Sequence, residues 1–370
     1  MNKRTESILL AHGSGGQLGH ELVENVFGRH FDNSILNERD DSAVLCVPCS
    51  VLRATECGAT QNATRNIAKH PDHREGTQHG FRLAFTTDSY VISPLFFPGG
   101  DIGKLAVCGT VNDLAVSGAE PKYLSAGFIL EEGLSMETLE RIVASMAETA
   151  RAAGVQIVTG DTKVVNHGAA DGVFINTAGV GFVPEGRSLS PRNLQTGDQI
   201  LVSGTLGDHG MAIMMEREGL ALHSALQSDC APLNKLIADL LQACPSGVRC
   251  LRDPTRGGLV ATLNEWATAA KVGIAVEERA IPLREQVRSA CEILGLDPLY
   301  VANEGKVVIA VAEGEAEAAL AALRAHPLGS EAAIIGQVTA DHSGRVVLGT
   351  MLGTHRILDM LVGEQLPRIC

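Results

Sequence analysis

The chain has 370 residues, of which 45% are hydrophobic and 20% are charged. This length exceeds what one ordinary hydrophobic core needs, so it predicts two domains. The formal net charge of -13 argues against broad electrostatic binding to nucleic acid or to an anionic membrane. No apolar run is long enough for a signal-peptide core or a membrane span, so we expect a cytoplasmic protein.

Near its start the chain has a glycine-rich run at residues 12–16, just before a helical pattern that begins near Leu18. Backbone N–H groups of such a loop can approach phosphate oxygens, and the N-terminus of the following helix favours anions. The run fits neither the Walker spacing nor the dinucleotide-binding fingerprint, so an ordinary turn stays open as the alternative. The candidate phosphate contacts are Gly13, Ser14, Gly15 and Gly16.

Cysteines are concentrated in one segment and scattered elsewhere. Residues 46–80 contain Cys46-x-x-Cys49, Cys57 and His70-x-x-His73 among many polar residues. The spacing resembles metal ligation, but the order is irregular, and we favour a surface insertion without a metal. Four other cysteines lie in apolar stretches, where we expect small buried thiols: Cys108, Cys244, Cys250 and Cys291.

The segment from Ser135 to Gly154 has the period of an amphipathic helix, with Ser135 as its cap and Gly154 at its end. Its predicted apolar stripe consists of Leu139, Ile142, Val143, Met146 and Ala150. Strands are predicted at 155–159 and 173–183. The turn at 184–186 predicts a domain boundary near Arg187.

The second half repeats the alternation of strands and helices. Strands are predicted at 199–203, 306–312 and 345–349, and helices at 232–243, at 258–271 and in the alanine-rich run after residue 312. This alternation indicates α/β layers in both halves. After residue 349 the pattern fades, and Pro367 predicts an extended, mobile end that no helix continues.

Four aspartates at the ends of apolar stretches or beside small residues are candidate Mg2+ ligands: Asp41, Asp88, Asp113 and Asp161. Mg2+ requires hard oxygen ligands and usually shares them with nucleotide phosphates, so converging carboxylates suit Mg-ATP. Asp113 falls in a helical pattern, where a partly exposed polar face is the alternative. Lys163, two residues after Asp161, could neutralise charge that develops on oxygen during phosphoryl transfer.

Two polar turns in the second half are further candidates. The turn at 252–258 contains Asp253 and enters a helix, so helix capping by Asp253 or Thr255 is its simpler explanation. The turn at 302–306 runs directly into an apolar strand, and its Glu304 could act as a base.

Four segments together resemble the HypE family, the carbamoyl dehydratases of nickel–iron (NiFe) hydrogenase maturation. That family lies in a superfamily with aminoimidazole ribonucleotide synthetase and selenophosphate synthetase. The segments are 87–100, 160–163, 302–306 and the terminal Pro367-Arg368-Ile369-Cys370. The terminal cysteine is the most specific of them, because other members of the superfamily lack one of this kind. The resemblance covers nearly the whole chain, and residues 46–80, longer than the family pattern, are its main departure.

The resemblance implies that the chain uses ATP and Mg2+ to dehydrate a carbamoyl group on Cys370 to a thiocyanate. Glu304 would be the base and Lys163 the stabiliser on the oxygen side, while the four aspartates named above would hold Mg-ATP. The nucleotide contacts implied in addition to the glycine run are Asn112, Thr162 and Asp253.

The resemblance also implies an α/β fold of two domains and a set of partners. Residues 1–186 would form an ATP-binding domain that makes a homodimer through its sheet, and residues 187–355 would form a second α/β domain. Residues 356–370 would be a flexible tail. A HypF-type carbamoyltransferase would load Cys370, and a HypC–HypD complex would accept cyanide at iron.

Two other interpretations stay open from the sequence. A superfamily enzyme acting on a free substrate would keep the aspartates and glycines but would not need Cys370. A non-catalytic scaffold would use ATP only to order the tail, with zinc held by residues 46–80.

Overall fold

The computed structural model describes residues 16–27, 30, 42–47, 81–219, 226–361 and 369. Five predicted site residues lie outside the described residues: Gly13, Ser14, Gly15, Asp41 and Cys370. Residues 48–80, the greater part of the predicted insertion with its candidate metal ligands, lie outside them as well.

The first half of the chain forms a sheet with helices on one face. Its described strands are β1 (Ala43–Val47), β2 (Phe81–Tyr90), β5 (Glu120–Glu131), β6 (Gln156–Val165) and β7 (Val173–Val183), with a separate short pair, β3 (Phe96–Phe97) and β4 (Gly100–Asp101). The helices are α1 (Gln17–Leu22), which continues as a π-helical turn at Val23–Phe27, α2 (Ile102–Val116) and α3 (Met136–Ala153). The sheet order is β1-β2-β7-β5-β6, in which β5 and β6 are parallel and the other neighbours antiparallel.

Helix α2 lies at the centre of the molecule. The Asp101 carboxylate begins it by accepting hydrogen bonds from the N–H groups of Gly103 and Lys104, at 2.7 and 3.1 Å. One side of α2 packs on β2 and β7. At its other end, Ala115 belongs to the same hydrophobic cluster as Leu201 of the second half. A helix that is apolar on nearly all sides is expected to be buried in this way.

The second half forms a larger sheet. Its strands are β8 (Gln199–Val202), β9 (Val248–Arg252), β10 (Gly273–Glu277), β11 (Val308–Val311), β12 (Ala333–Thr339), β13 (Val346–Gly349) and β14 (His355–Ile357), in the order β14-β13-β10-β12-β8-β11-β9. Its helices are α4 (Asp208–Arg217), α5 (Asn234–Ala243), α6 (Gly258–Ala270), α7 (Glu285–Leu294) and α8 (Ala316–Ala325). Within the described residues, strands and helices thus form α/β layers in both halves, as predicted.

Helices cover both faces of this larger sheet. Alternate residues of β8 point to opposite faces: Ile200 packs in a cluster with Trp266 of α6, whereas Leu201 packs in a cluster with Leu236 of α5. A strand buried on both faces is apolar at successive positions. This explains why the strand predicted at 199–203 was recognisable from sequence.

The structure confirms the predicted helix from Ser135 to Gly154 and corrects its details. The Ser135 side chain accepts a hydrogen bond from Thr138 N–H, and Gly154 ends α3 in the left-handed region at φ 75. Val143 of the predicted stripe is 43% exposed, because the neighbouring Ile142 and Met146 form the buried face of α3, which packs on α2. The strand predicted at 155–159 extends to Val165, since β6 pairs with β5 along its whole length.

The predicted mobile tail from residue 356 is wrong at two places. Strand β14 pairs with β13, so Arg356 and Ile357 belong to the larger sheet. Leu358 is fully buried, and Ile369 is only 3% exposed. Hydrophobic burial therefore fixes part of a segment whose local sequence carries no strong structural pattern.

The predicted buried thiols are confirmed: Cys108, Cys244, Cys250 and Cys291 are buried and free, and Cys230 joins them. Within the described part of the chain, none of the helices has the length and apolar character needed to cross a membrane.

The packing of the loop at 302–306 leads to a testable prediction. A Cβ atom at Gly305 would overlap the carbonyl oxygen of Asp229, whereas a Cβ at Gly314 would meet nothing within 4 Å. We expect Gly305→Ala to lower the free energy of unfolding by about 1–3 kcal/mol through overpacking, measured by urea denaturation. Gly314→Ala is the matched control, and an equal effect of the two changes would contradict this packing.

Candidate active site

Glu304 lies in a buried loop where the two halves of the chain meet, and it is 2% exposed. Its N–H donates to Oδ1 of Asp229 at 3.0 Å, and its carbonyl oxygen accepts from Nδ2 of Asn112 at 3.1 Å. The adjacent Asn303 side chain is fully buried and donates to the carbonyl oxygen of Pro254 at 3.1 Å. Hydrogen bonds from both halves thus fix the backbone that carries the Glu304 carboxyl group.

Asn112, a predicted nucleotide contact, has a structural role. It is fully buried on α2, and its Nδ2 donates to the carbonyl oxygens of Ala231 and Glu304 at 3.2 and 3.1 Å. Its Oδ1 accepts from Leu233 N–H at 2.8 Å. Both donors of the amide are therefore used inside the protein. Asn112 thus joins α2 to two loops of the second half, and its predicted nucleotide contact stays a prediction.

The environment of Glu304 favours its protonated form. Burial raises the pKa of its carboxyl group well above the usual value, and the nearby Cys230, Asp253, Asp229 and Asp88 raise it further. A carboxyl group with a strongly raised pKa in a buried position is a candidate general acid or base. Two predicted site residues, Asp253 and Asp88, are thus close enough to Glu304 to raise its pKa.

Asp88 and Asp113 lie on one side of the first sheet, around Tyr90. The Thr86 hydroxyl donates to Oδ2 of Asp113 at 2.9 Å, and the Tyr90 hydroxyl lies 3.4 Å from Oδ2 of Asp88. Burial raises the pKa of Tyr90 well above its usual value, and Asp88, Glu304 and Asp113 raise it further. These carboxylates therefore act on one buried hydroxyl, although Asp113 is on a helix and not at a strand end.

Asp161 does not join the other predicted aspartates within one chain. In the sheet register Asp161 pairs with Gly127 and Gly127 with Asn176, whereas Asp88 pairs with the adjacent Thr177. Side chains of successive strand residues point to opposite faces. Asp88 therefore faces α2, and Asp161 lies on the opposite face of the sheet.

Lys163 lies on that opposite face together with Asp161. Its Nζ is 3.0 Å from Oδ2 of Asp161, and both side chains are more than 70% exposed. Hydrogen bonding from Lys163 lowers the pKa of Asp161. Thr162 pairs with Phe128, which packs against the core, so Thr162 points away from Asp161. The strand predicted to end at residue 159 in fact continues through residues 160–163, and a strand divides these residues between two faces.

Several residues near Glu304 were missed by sequence reasoning. Asp229 is bonded to the Glu304 backbone, and its Oδ2 lies 3.3 Å from Nζ of Lys306. That oxygen makes an ion pair but no well-aligned hydrogen bond, and Oδ1 of Asp208 is likewise buried without a hydrogen-bond partner. Lys306 lay in the predicted turn at 302–306, but no local pattern pointed to Asp229 or Asp208.

The end of the chain approaches the same region. His209 is fully buried. Its Nδ1 forms a hydrogen bond of 2.8 Å with the Ser228 hydroxyl, and its Nε2 lies 2.9 Å from the carbonyl oxygen of Ile369. Asp229, next to Ser228, also holds the Glu304 backbone. Residues 228 and 229 therefore connect the position of Ile369 with that of Glu304.

Gly16 is the described residue of the predicted phosphate loop. It is buried and immediately precedes α1, and its carbonyl oxygen accepts from His20 N–H at 3.0 Å. The helix contacts the second half, because His20 Nε2 lies 3.2 Å from Glu265. Glu265 also forms an ion pair with Arg252 at 2.6 Å. The predicted role of Gly16 in phosphate binding stays a prediction.

Within the described ranges, no group of three or more His, Cys, Asp or Glu side chains is arranged to hold a metal ion. Mg2+ commonly uses only one or two carboxylates together with phosphate oxygens, so binding of Mg2+ by Asp88 and Asp113 stays a prediction.

The fold and the site place the chain in a known class. Residues 74–183 match the family described as AIR synthase related protein, N-terminal domain, and residues 195–349 match its C-terminal domain. Together these matches cover all described strands of the two sheets except β1 and β14, so the fold is that of an AIR synthase related protein.

More similar relatives give the particular family. The chain is 52% identical over 370 residues to "Carbamoyl dehydratase HypE" of Rhodobacter capsulatus, covering 100% of both chains. A solved HypE–HypF complex matches with a TM-score of 0.79 and 45% identity over 92% of this chain and 99% of the other. A HypE structure in complex with ATP matches with a TM-score of 0.75 and 49% identity over 98% and 100%. The chain belongs to the HypE family of carbamoyl dehydratases.

The raised pKa of Glu304 predicts how stability depends on pH. A carboxyl group whose pKa is higher in the folded chain binds its proton more tightly there, so its contribution is complete below the unfolded-state pKa and is lost as pH rises through the folded-state pKa. We expect the native chain to lose unfolding free energy relative to Glu304→Gln as pH rises above about 4. Denaturant unfolding across pH measures this difference.

Glu317→Gln, a change on an exposed helix position, controls for the loss of one formal charge. A constant difference between native chain and Glu304→Gln at all pH values would contradict a buried, protonated Glu304.

Proposed function

We propose that this chain uses ATP to dehydrate an S-carbamoyl group on its own Cys370 to a thiocyanate, which supplies the cyanide ligand for NiFe-hydrogenase iron. The observation that carries the proposal is the burial of Ile369 against His209, at 3% and 0% exposure. Ile369 directly precedes Cys370 in the sequence, and it belongs to the same hydrophobic cluster as Ala302, two residues before Glu304.

The relatives support the same chemistry. The Rhodobacter capsulatus protein is called a carbamoyl dehydratase, one related structure contains ATP, and another is a complex with HypF. From these likenesses we propose ATP as the co-substrate and a HypF-type carbamoyltransferase as the protein that loads Cys370. We also propose that the chain works in the cytoplasm and passes cyanide to a HypC–HypD-type complex.

The proposed reaction has two steps. The carbamoyl oxygen on Cys370 attacks the γ-phosphorus of ATP, one N–H proton leaves, and the products are ADP and an O-phosphorylated S-isocarbamoyl group. Loss of the second N–H proton then expels phosphate and forms the carbon–nitrogen triple bond. The sum converts the carbamoyl group and ATP into thiocyanate, ADP and phosphate. A buried site protects the phosphorylated group from water.

Glu304 is the proposed base. Its high pKa makes the carboxylate a stronger proton acceptor than an exposed glutamate. The hydrogen bonds from Asn112 and to Asp229 hold its backbone in place. Asp88 and Asp113 present carboxylate oxygens that fit Mg2+, which would neutralise charge on the phosphate oxygens when bound. Asp253 is proposed to contact the nucleotide from the second half.

We propose a homodimer formed through the first sheet. Its face opposite α2 carries large apolar side chains that are exposed in the single chain: Phe85 at 45%, Tyr123 at 46%, Ile129 at 45% and Phe182 at 42%. Exposed apolar patches of this kind mark interaction surfaces. Asp161 and Lys163 share that face, so a dimer would present them to the partner chain. Lys163 would then stabilise oxygen charge in the partner's site.

The division into an ATP-binding domain at 1–186, a second domain at 187–355 and a carrier tail is part of this proposal. The start of the tail moves to residue 359, because β14 and the buried Leu358 belong to the larger sheet.

Intact-protein mass spectrometry tests the proposed function directly. After incubation with a HypF-type carbamoyltransferase, carbamoyl phosphate and Mg-ATP, the native chain should gain a carbamoyl group and then lose the mass of one water. Cys370→Ala should show neither change. Glu304→Gln should gain the carbamoyl group and keep it, with dehydration slowed by about a hundredfold or more.

If a competent partner leaves Cys370 unmodified while ATP is hydrolysed, an enzyme acting on a free substrate becomes the better explanation. Stoichiometric zinc without nucleotide turnover would instead favour the scaffold.

A mixed-chain experiment tests the homodimer and the position of Lys163. Lys163→Met and Glu304→Gln should each inactivate a dimer of identical chains. Random mixing of the two variants should restore about a quarter of the native sites, because mixed dimers keep one complete site. Failure of mixing to restore dehydration, in chains shown to exchange, would contradict a role for Lys163 across the dimer.

A further inference from the structure

His209 takes part in no chemical step of the mechanism above, yet it is fully buried and both of its ring nitrogens have hydrogen-bonding partners. One partner, Ile369, is 160 residues away in sequence and precedes the terminal residue. We propose that His209 is a positioning residue that holds the Ile369 carbonyl and thereby fixes Cys370 for dehydration. This inference rests on the proposed function, because it assigns how the carrier residue is held.

The hydrogen-bond partners determine the tautomer of His209. The Ile369 carbonyl oxygen can only accept, so Nε2 of His209 must carry the proton. In the neutral ring Nδ1 is then an acceptor, and the Ser228 hydroxyl must donate to it at 2.8 Å. The Ser228 oxygen in turn accepts from Cys230 N–H at 3.1 Å. A chain of hydrogen bonds thus runs from the Cys230 N–H through Ser228 and His209 to the Ile369 carbonyl oxygen.

The neutral ring is also favoured by its surroundings. Burial lowers the pKa of His209, and this effect exceeds the opposing influence of Asp229 and of the Ile369 carbonyl. The edge-to-face contact with Phe97, with ring centroids 5.6 Å apart, further restricts the ring. The imidazole therefore presents its N–H group in a fixed direction.

The segment that carries His209 is hydrogen-bonded to the loop that carries the proposed base, Glu304. It lies in the first turn of α4, and the next residue, Gly210, donates through its N–H to the carbonyl oxygen of Ala302 at 3.1 Å. Ser228 is adjacent to Asp229, which holds the Glu304 backbone. The hydrogen bond to Ile369 and the hydrogen bonds to the loop that carries Glu304 thus come from neighbouring residues. We infer that these residues position both reacting groups together.

The Ile369 side chain contributes the apolar part of the same contact. It belongs to the hydrophobic cluster that contains Met211, Val301 and Ala302. A neutral hydrogen bond to a backbone carbonyl does not depend on the identity of a tail side chain, whereas the apolar contact depends on Ile369. The two contributions can therefore be removed separately.

The experiment measures the accessibility of Cys370 in the full chain, without ATP or carbamoylation. The rate of alkylation by iodoacetamide is followed by mass spectrometry of the C-terminal peptide. We expect His209→Leu, which has no donor, to react about tenfold faster than the native chain. His209→Gln, which can offer an N–H group near the position of Nε2, should return the rate toward the native value. Ile369→Ala should also react faster.

Because dehydration is measured separately, failure of the two ideas can be distinguished. An unchanged alkylation rate in a folded His209→Leu chain would overturn the role of His209, whether or not ATP-dependent dehydration occurs on Cys370. If His209→Leu is alkylated faster but the native chain is never carbamoylated, the contact between His209 and Ile369 is supported and the proposed function is rejected. For carbamoylated chains, His209→Leu should slow dehydration, and His209→Gln should restore most of it.

Nuclear magnetic resonance of the native chain keeps the proposal testable if His209→Leu does not fold. The 15N spectrum should show His209 protonated at Nε2, and Ile369→Gly should shift that signal. Protonation of His209 at Nδ1 alone would overturn the proposal. A His209 15N signal that does not shift in Ile369→Gly would also overturn it.

Discussion

The structure depends most on the hydrogen bonds that hold the backbone of Glu304 between the two halves of the chain. An ionised carboxylate is costly to bury, so a group in this position keeps its proton until the site changes. The amide of Asn112 comes from the central helix of the first half, and Asp229 comes from a loop of the second. Any movement of one half against the other would therefore displace the proposed base.

The first sheet divides its functional groups between two faces. Asp88 faces the central helix and the buried loop, whereas Asp161 and Lys163 face outward among exposed apolar side chains. A single chain therefore separates groups that the HypE resemblance assigns to one reaction. Pairing of two such sheets would remove the apolar surface from water and place Asp161 and Lys163 against the partner chain. The proposed homodimer thus explains both the exposed face and the position of Lys163.

Features set by neighbouring residues could be predicted from the sequence, and those set by distant contacts could not. Ser135 and Gly154 mark both ends of a helix by local chemistry. The orientation of Asp161 depends on pairing with another strand, and within one chain this pairing places Asp161 and Asp88 on opposite faces of the sheet. The resemblance identified Glu304 as a candidate, but its burial comes from both halves. His209 has no surrounding motif, and its tail contact appears only when the chain is folded.

The central claim is that the group carried by Cys370 lies beside Glu304. Carbon-13 nuclear magnetic resonance of a labelled carbamoyl group on Cys370, without ATP, tests this most directly across pH. If the claim is correct, the signal shifts in one step at a pH above the ordinary carboxyl range, and the step is absent in Glu304→Gln. A signal that does not respond to pH, or that titrates equally in both chains, would show that the two groups are not neighbours.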